Sequence, residues 1–410
     1  MEGALATQAT MIPLARRIAD VRPSATLAIT AKAAELRAAG RDIIALSVGE
    51  PDFPTPERAR RAAIAAIEEG FTRYTAVAGI PELRAAVADK FRRDNGLDYA
   101  TDEILVSAGA KQCLYNLMQA LIDPGDGVVI PAPYWVSYPD MVRLAGGRPV
   151  FVATRPEEGF KLTPQRLRAA LDEGCRLLVL NAPSNPTGMA YSRDELAALG
   201  AVVRDHPGLV VVSDDIYEKL LFDGRRFFTF AQVNPDLKER TVTCNGVSKA
   251  WCMTGWRIGF CAGPRHLIAA MARIQGQSTS NPNAIAQKAA LAALTGPQEE
   301  LAEMVAAYAE RRRWLVDAWN DIDGCDCPLP DGAFYVFPSV AGWIGRRTPQ
   351  GERIDDDVAL CRWLLEEAGV ALVPGSAFGA PGFLRCSYAV DAPLLEAAVA
   401  RLRQAIATLR

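Results

Sequence analysis

Between residues 100 and 262 the chain alternates short apolar runs with segments whose apolar positions recur every three or four residues. The runs are Glu103 to Ser107, Gly127 to Pro131, Arg148 to Ala153, Arg176 to Asn181, Leu209 to Ser213, Arg240 to Cys244 and Arg257 to Cys261. Such runs, bounded by turn residues and mostly separated by helical patterns, predict a largely parallel seven-stranded sheet covered by helices on both faces. The link from Asn245 to Trp256 is too short for a full crossover helix, so one strand is expected to run antiparallel.

After Gly276 the pattern changes to long helices, one from Glu299 to Trp319, and then to a compact segment from Gly332 to Tyr388. Strands are expected there near Ala333 to Phe337, Val370 to Val373 and Phe383 to Ser387. A helical stretch from Ala25 to Ala39 and a strand from Asp42 to Val48 are expected to join this smaller α+β domain. The reading divides the chain into an N-terminal arm with part of the small domain (residues 1–50), a large α/β domain (51–310) and a small C-terminal domain (311–410).

Composition narrows the function classes. With 410 residues, 50% apolar content and a net charge of −3, the chain reads as an ordinary globular protein rather than a nucleic-acid binder. Its longest basic cluster, Arg311-Arg312-Arg313, is expected to be a solvated helix face. No run approaches a membrane span, and the charged N-terminus does not read as a cleavable signal, so a cytoplasmic location is expected. Nine cysteines without a CxxC pair read as reduced, mostly buried thiols, with no metal site. Two histidines are too few for a histidine-rich metal centre, and their loop settings do not suit a Ser-His-Asp enzyme.

Ligands of open α/β sheets sit at the carboxyl ends of the strands. After the first run, Ser107-Ala108-Gly109-Ala110-Lys111 makes a small-residue turn into the helix from Gln112 to Leu121, where exposed amides suit a phosphate or form a plain tight turn. Neither GxxxxGK[ST] nor GxGxxG occurs, so no nucleotide P-loop or dinucleotide fold is supported. Tyr134 and Trp135 follow the second run, either plugging the core or offering a flat face to a ring. "NAPSNPTG" (181–188) holds Asn185 in a proline-stiffened loop. "SDDIY" (213–217) puts Asp214 and Asp215 at a strand end, as a helix cap or as a carboxylate for a protonated ring nitrogen, with Tyr217 behind. In "NGVSKAWCMTGWRIGF" (245–260) an amine at Lys249, among Ala250, Trp251 and Met253, is expected to have a lowered pKa.

With these residues assembled, the chain resembles the aspartate aminotransferase family of fold-type-I pyridoxal-phosphate enzymes over nearly its whole length. "SKAWCMTGWRIGF", "NPTG" and "SDDIY" carry the resemblance, in the right order. The resemblance implies that Lys249 holds pyridoxal 5′-phosphate as a Schiff base and moves the proton between Cα and C4′, and that Asp214 partners the pyridinium nitrogen. It implies that Asn185 and Tyr217 bond the cofactor's 3-oxygen, Trp135 stacks on the ring, and Gly109, Ala110, Lys111, Ser248 and Arg257 grip the phosphate. Tyr74, in "TRYTAVAGIPELR", matches a tyrosine that reaches the neighbouring subunit's phosphate, implying a homodimer with shared sites. Arg385, in "FLRCSYA", matches the arginine that forks onto the substrate α-carboxylate, and Gly49, in "SVGEPDFPTP", a backbone contact to it.

Gly246 stands where some relatives carry a hydroxyl residue, with Ser248 as a possible substitute. "GQSTSNPN" lacks the arginine that dicarboxylate-specific members draw from the partner, while Lys111 matches a lysine that another subgroup uses for the distal carboxylate, assisted by Arg22 if the N-terminal segment folds over the site. The implied activity is transfer of the amino group of aspartate, or a related acidic amino acid, to 2-oxoglutarate by a ping-pong mechanism. The alternatives are an aminotransferase for aromatic amino acids, alanine or prephenate, or a lyase on the same cofactor. A ligand-sensing regulator on this fold would need a DNA-binding module, for which the N-terminal residues are too few.

Overall fold

The computed structural model describes residues 12, 14–21 and 25–410. From the N-terminal side, helix α1 (Ala25–Ala38) and strand β1 (Ile44–Ala45) lead past Gly49 into helices α2 (Glu57–Glu68) and α3 (Pro81–Asn95). Then come β2 (Ile104–Ser107), α4 (Ala110–Leu121), β3 (Gly127–Ala132), α5 (Tyr138–Leu144), β4 (Arg148–Ala153), α6 (Pro164–Ala170), β5 (Cys175–Asn181), α7 (Arg193–Arg204), β6 (Val210–Asp214), α8 (Phe230–Val233), β7 (Thr241–Gly246) and β8 (Gly259–Ala262). These seven strands, β2 to β8, form one sheet in the order β2-β8-β7-β6-β5-β3-β4. Only β8 is antiparallel to its neighbours, β7 and β2.

The sheet forms where the apolar runs predict it because nearly every position on its central strands is covered. Val128, Val129, Leu177, Leu178, Val211 and Val212 are fully buried, as apolar runs are in a sheet sandwiched by helices. One face packs on Leu114, Leu117 and Met271, the other on Leu167, Leu199 and Val203. Helix α7 starts at a reciprocal cap: Ser192 Oγ accepts from the Glu195 amide, and the Glu195 carboxylate accepts from the Ser192 amide. Strand β8 begins two residues later than the run suggests, because Arg257 lies in the left-handed region at φ 55°.

Beyond α9 (Arg265–Ser278), α10 (Ala284–Thr295) and the long α11 (Glu300–Asn320) lie β9 (Tyr335–Val336), α12 (Asp357–Glu367), β10 (Val370–Ala371), β11 (Val373–Pro374), β12 (Leu384–Ser387) and α13 (Ala392–Ile406). The single strand expected over Val370 to Val373 is split at Leu372: β10 pairs parallel with β1, whereas β11 pairs antiparallel with β12. The expected strand from Asp42 to Val48 keeps only two ladder residues, and beyond them Leu46 bonds to both Ala371 and Ser387 backbones.

The basic cluster on α11 is not the expected solvated face. Consecutive helical residues point about 100° apart, so three in a row cannot share one side. Arg313 is exposed, Arg312 is buried against Asp223 and the Pro330 carbonyl, and Arg311 binds Asp52 at 2.7 Å beneath Phe53. Helix α11 thus anchors the loop that follows Gly49. All nine cysteines are unpaired, seven of them buried.

Candidate active site

The carboxyl ends of β2, β3, β5 and β6 and the turn after β7 open into a cavity of about 520 Å³, closed on its far side by β9 and β12. Gly49, Ala110, Lys111, Trp135, Asn185, Asp214, Tyr217, Ser248, Lys249, Arg257 and Arg385 all line it. Gly109 stands directly behind the wall. Tyr74 does not reach it: the side chain is 92% exposed on the loop before α3. Arg22 lies outside the described residues, while Thr26, on α1, lines the cavity.

Asp214 ends β6 and lines the cavity, and no helix begins at it. Its Oδ2 accepts a 2.6 Å bond from the Tyr138 hydroxyl, and its Oδ1 is buried without a partner. Burial raises its pKa to about 6, against the opposing effect of the Tyr138 bond. Asn181 fixes the two strand ends: its amide donates to the Asp214 carbonyl at 2.8 Å and its oxygen accepts from the Asn185 amide at 2.9 Å. An unpaired buried carboxylate oxygen lining a cavity calls for a donor on the ligand.

Lys249 extends across the cavity, and its Nζ donates to the Gly49 carbonyl at 2.6 Å. Burial lowers its pKa to about 8, with the Glu50 carboxylate working the other way. A larger share of this amine is therefore uncharged near neutrality than at an exposed lysine, as a nucleophile or proton carrier needs.

Arg385, on β12, is 3% exposed. Its Nη1 donates to Asn185 Oδ1 at 3.0 Å and its Nη2 to the Ser47 carbonyl at 2.6 Å, while Nε is buried without a partner. Such a guanidinium has a free donor and an uncompensated charge for a carboxylate. The Tyr217 hydroxyl is paired with that of Tyr335 at 2.8 Å.

At the other end, Gly109 at φ 87° turns β2 into the N-terminus of α4. A Cβ there would fall 2.5 Å from Arg257 Nη2, and one on Gly259 would collide with the Ala110 amide. The turn is thus stripped of side chains, and Arg257 supplies the cation, its side chain held by the Thr254 and Ala108 carbonyls. Gly246, paired with Gly259, would fit a side chain only tightly: its Cβ would be 3.0 Å from the Gly259 Cα. Lys111 Nζ lies 4.9 Å above the Trp135 ring, its pKa lowered by burial and by Arg257.

Tyr138, Tyr335 and Asn181 are working parts of this site that the sequence reading passes over. Asn181 sits at a strand end inside a quoted motif, so the strand-end rule could have found it. Tyr138 reaches Asp214 from 76 residues away, and Tyr335 meets Tyr217 across 118; no local spacing announces either.

Comparison with known proteins gives the family and the fold. The model of the aminotransferase class I and II family matches residues 41–402. The chain is 55% identical over 390 residues to an aspartate/prephenate aminotransferase of Cereibacter sphaeroides, covering 95% of this chain and 98% of that one. It is 50% identical over 391 residues to an aspartate aminotransferase of Rhizobium meliloti, covering 95% of each. A solved aspartate aminotransferase from Rhizobium meliloti superposes with a TM-score of 0.95 at 48% identity, over 98% of this chain and 100% of that one. The Thermus thermophilus aspartate aminotransferase with maleate gives 0.89 at 45%, over 96% and 100%.

Proposed function

The chain belongs to the class I and II aminotransferases, and from that premise we propose that it transfers the amino group of aspartate, or a related acidic amino acid, to 2-oxoglutarate with pyridoxal 5′-phosphate held on Lys249. The observation that carries this reading is the convergence in one cavity of the buried Lys249 amine, the unpaired Asp214 Oδ1 and the unpaired Arg385 Nε.

The residues fit the cofactor. Asp214 Oδ1 has a vacant acceptor for a ring N–H, and the side-chain-free turn at Gly109 presents amides at the start of α4 for a phosphate. Gly109, Ala110, Ser248 and Arg257 would hold that phosphate, with Lys111 beside them. Trp135 would stack on the ring, and Asn185 and Tyr217 would bond its 3-oxygen. Pyridoxal phosphate, when bound, supplies a carbonyl that captures an amine and a ring that accepts electrons.

Arg385 receives the substrate α-carboxylate, helped by Asn185 and the backbone at Gly49, and so sets which bond at Cα faces Lys249. With the cofactor bound, Lys249 would take the proton from Cα and return it at the neighbouring cofactor carbon, a role its lowered pKa suits. Asp214, fixed by Tyr138, would keep a proton on the ring nitrogen. Tyr74, exposed and outside its own cavity, would reach the phosphate site of a second copy in a homodimer whose sites are shared.

Prephenate is a second acceptor candidate, supported by its appearance in the name of the 55% identical relative. The test is the absorbance spectrum of the cofactor-loaded protein during addition of single amino acids. Aspartate or glutamate should move the cofactor band at micromolar to millimolar concentrations, and a 2-oxo acid should restore it. A band that moves with alanine or phenylalanine and not with acidic donors would overturn the proposed substrate class.

A further inference from the structure

Tyr335 belongs to none of the motifs, yet from β9 it touches three parts of the cavity. It is 1% exposed. Its hydroxyl is 2.8 Å from that of Tyr217, and the Arg385 guanidinium lies 4.5 Å from its ring centroid, with Phe378 also beside the guanidinium at 5.1 Å. A Cβ on Gly49 would fall 2.5 Å from the Tyr335 hydroxyl, so the glycine whose carbonyl receives Lys249 is also what lets this phenol reach Tyr217.

We propose that Tyr335 is a positioning residue with two separable tasks: its ring holds the plane of Arg385 for the substrate carboxylate, and its hydroxyl orients the proton of Tyr217. This rests on the aminotransferase reading of the site.

Two phenols that share one hydrogen bond have two protons between them, so whichever donates leaves the other's proton free. A guanidinium against a ring face draws on its π density. Tyr335 carries Arg385 in that position, which makes it the more acidic phenol and the better donor. Tyr217 then accepts through its oxygen, and its own proton is turned toward the cavity and the cofactor oxygen there. The ring task is distinct. Bonds to Asn185 and Ser47 fix two nitrogens of the guanidinium, while the aromatic face limits its tilt, and Nε stays unpaired.

Two variants separate these tasks in the cofactor-loaded protein. Tyr335→Phe keeps the ring and loses the donor. Tyr217 then supports negative charge on the cofactor oxygen less well, and the pH midpoint of the cofactor's visible band should rise by about 0.4 to 1 unit, the size of one hydrogen bond. KM for aspartate should stay within about twofold, since the stacking that steadies Arg385 remains. Tyr335→Leu removes the ring as well, and KM should rise about tenfold for acidic and neutral donors alike, because the α-carboxylate is common to both. A midpoint in Tyr335→Phe that stays put or falls overturns the hydroxyl task. A KM within twofold of the parent's in Tyr335→Leu overturns the ring task. A parent protein that develops no cofactor band and transfers no amino group would refute the underlying function instead.

Discussion

Asp214 and Asp215 are neighbours in sequence, yet the first faces the cavity and the second faces away from it into a closed polar cluster. Tyr217 and Glu218 repeat the division. On the closed side, Lys90 is fully buried in an ion pair with Glu218, and it donates to Asn95 Oδ1 at 2.7 Å. Asn95 in turn donates to Glu218 Oε2 at 3.0 Å. Asp215 accepts from Ser213 Oγ at 2.6 Å, and burial raises its pKa to about 7. On the cavity side, Asp214 Oδ1 and Arg385 Nε have no partner, and Lys249 donates only to a carbonyl among the described residues. Asp215 also has one unpaired oxygen, but it does not line the cavity. The difference teaches that buried charge alone does not mark a functional site. Charge that is buried, incompletely paired and open to a cavity does, because folding leaves its desolvation uncompensated until a ligand arrives.

The sharpest break between the two sides is a pair of lysines. Lys249→Ala removes the proton carrier, worth about 10² to 10⁴ in rate, and also the cofactor's covalent anchor, so amino transfer should fall by more than four orders of magnitude. Borohydride reduction of the loaded parent protein followed by peptide mapping should put the label on Lys249. A label on Lys111 would overturn the assignment. Lys90→Met should act on the fold instead. It leaves Glu218 buried without its cation, which costs about 3 to 5 kcal/mol, seen as a lower urea midpoint. Unchanged stability would mean that Glu218 finds another partner.

The carboxylate on the cavity side should behave in the opposite sense. Burial raises the Asp214 pKa from 3.8 to about 6, so the folded protein without cofactor holds this proton more tightly than the unfolded chain does. The stability tied to that proton is fully present below about pH 4 and is lost as pH rises through about 6. The loss above that range is about 3 kcal/mol, at 1.36 kcal/mol for each of about two pKa units. Asp214→Asn avoids it. The cofactor-free variant should therefore match the parent near pH 4 and exceed its stability at pH 8, while the loaded variant removes the Cα proton more slowly. A variant less stable than the parent at pH 8 would show that Asp214 already has its partner within the fold.

How much of this was legible in the sequence follows from the range of each interaction. The seven strands of the main sheet were readable because their signal is local: a buried strand needs five or six apolar residues between turns. The antiparallel β8 was readable from a link too short to cross over. The split at Leu372 was not, since it depends on which of two separate sheets pairs with each half. At the site, residues that follow strand ends or sit in motifs could be named from position alone. Tyr138 and Tyr335 could not, because their roles exist only where α5 and β9 meet the end of β6. Arg312 misled for a related reason, as its partner Asp223 lies 89 residues away.

The smallest effect tests substrate charge, the least determined feature of the cavity. If Arg385 meets the α-carboxylate as proposed, preference for an acidic donor needs a second cation near the far end of the substrate. Lys111 lines the cavity over Trp135, beside which the ring is proposed to lie, but it also feels Arg257, proposed to hold the phosphate. A charge-assisted hydrogen bond is worth about 1.5 to 3 kcal/mol. If Lys111 binds the distal carboxylate, Lys111→Ala should lower kcat/KM for aspartate by about ten- to a hundredfold, at 1.36 kcal/mol per factor of ten. Phenylalanine and alanine, which lack that carboxylate, should lose far less. If Lys111 serves the phosphate, all donors should fall together and the concentration of pyridoxal phosphate needed for half-saturation should rise. The ratio of aspartate to phenylalanine turnover, measured at saturating cofactor, separates the two: a ratio equal to the parent's removes Lys111 from substrate recognition.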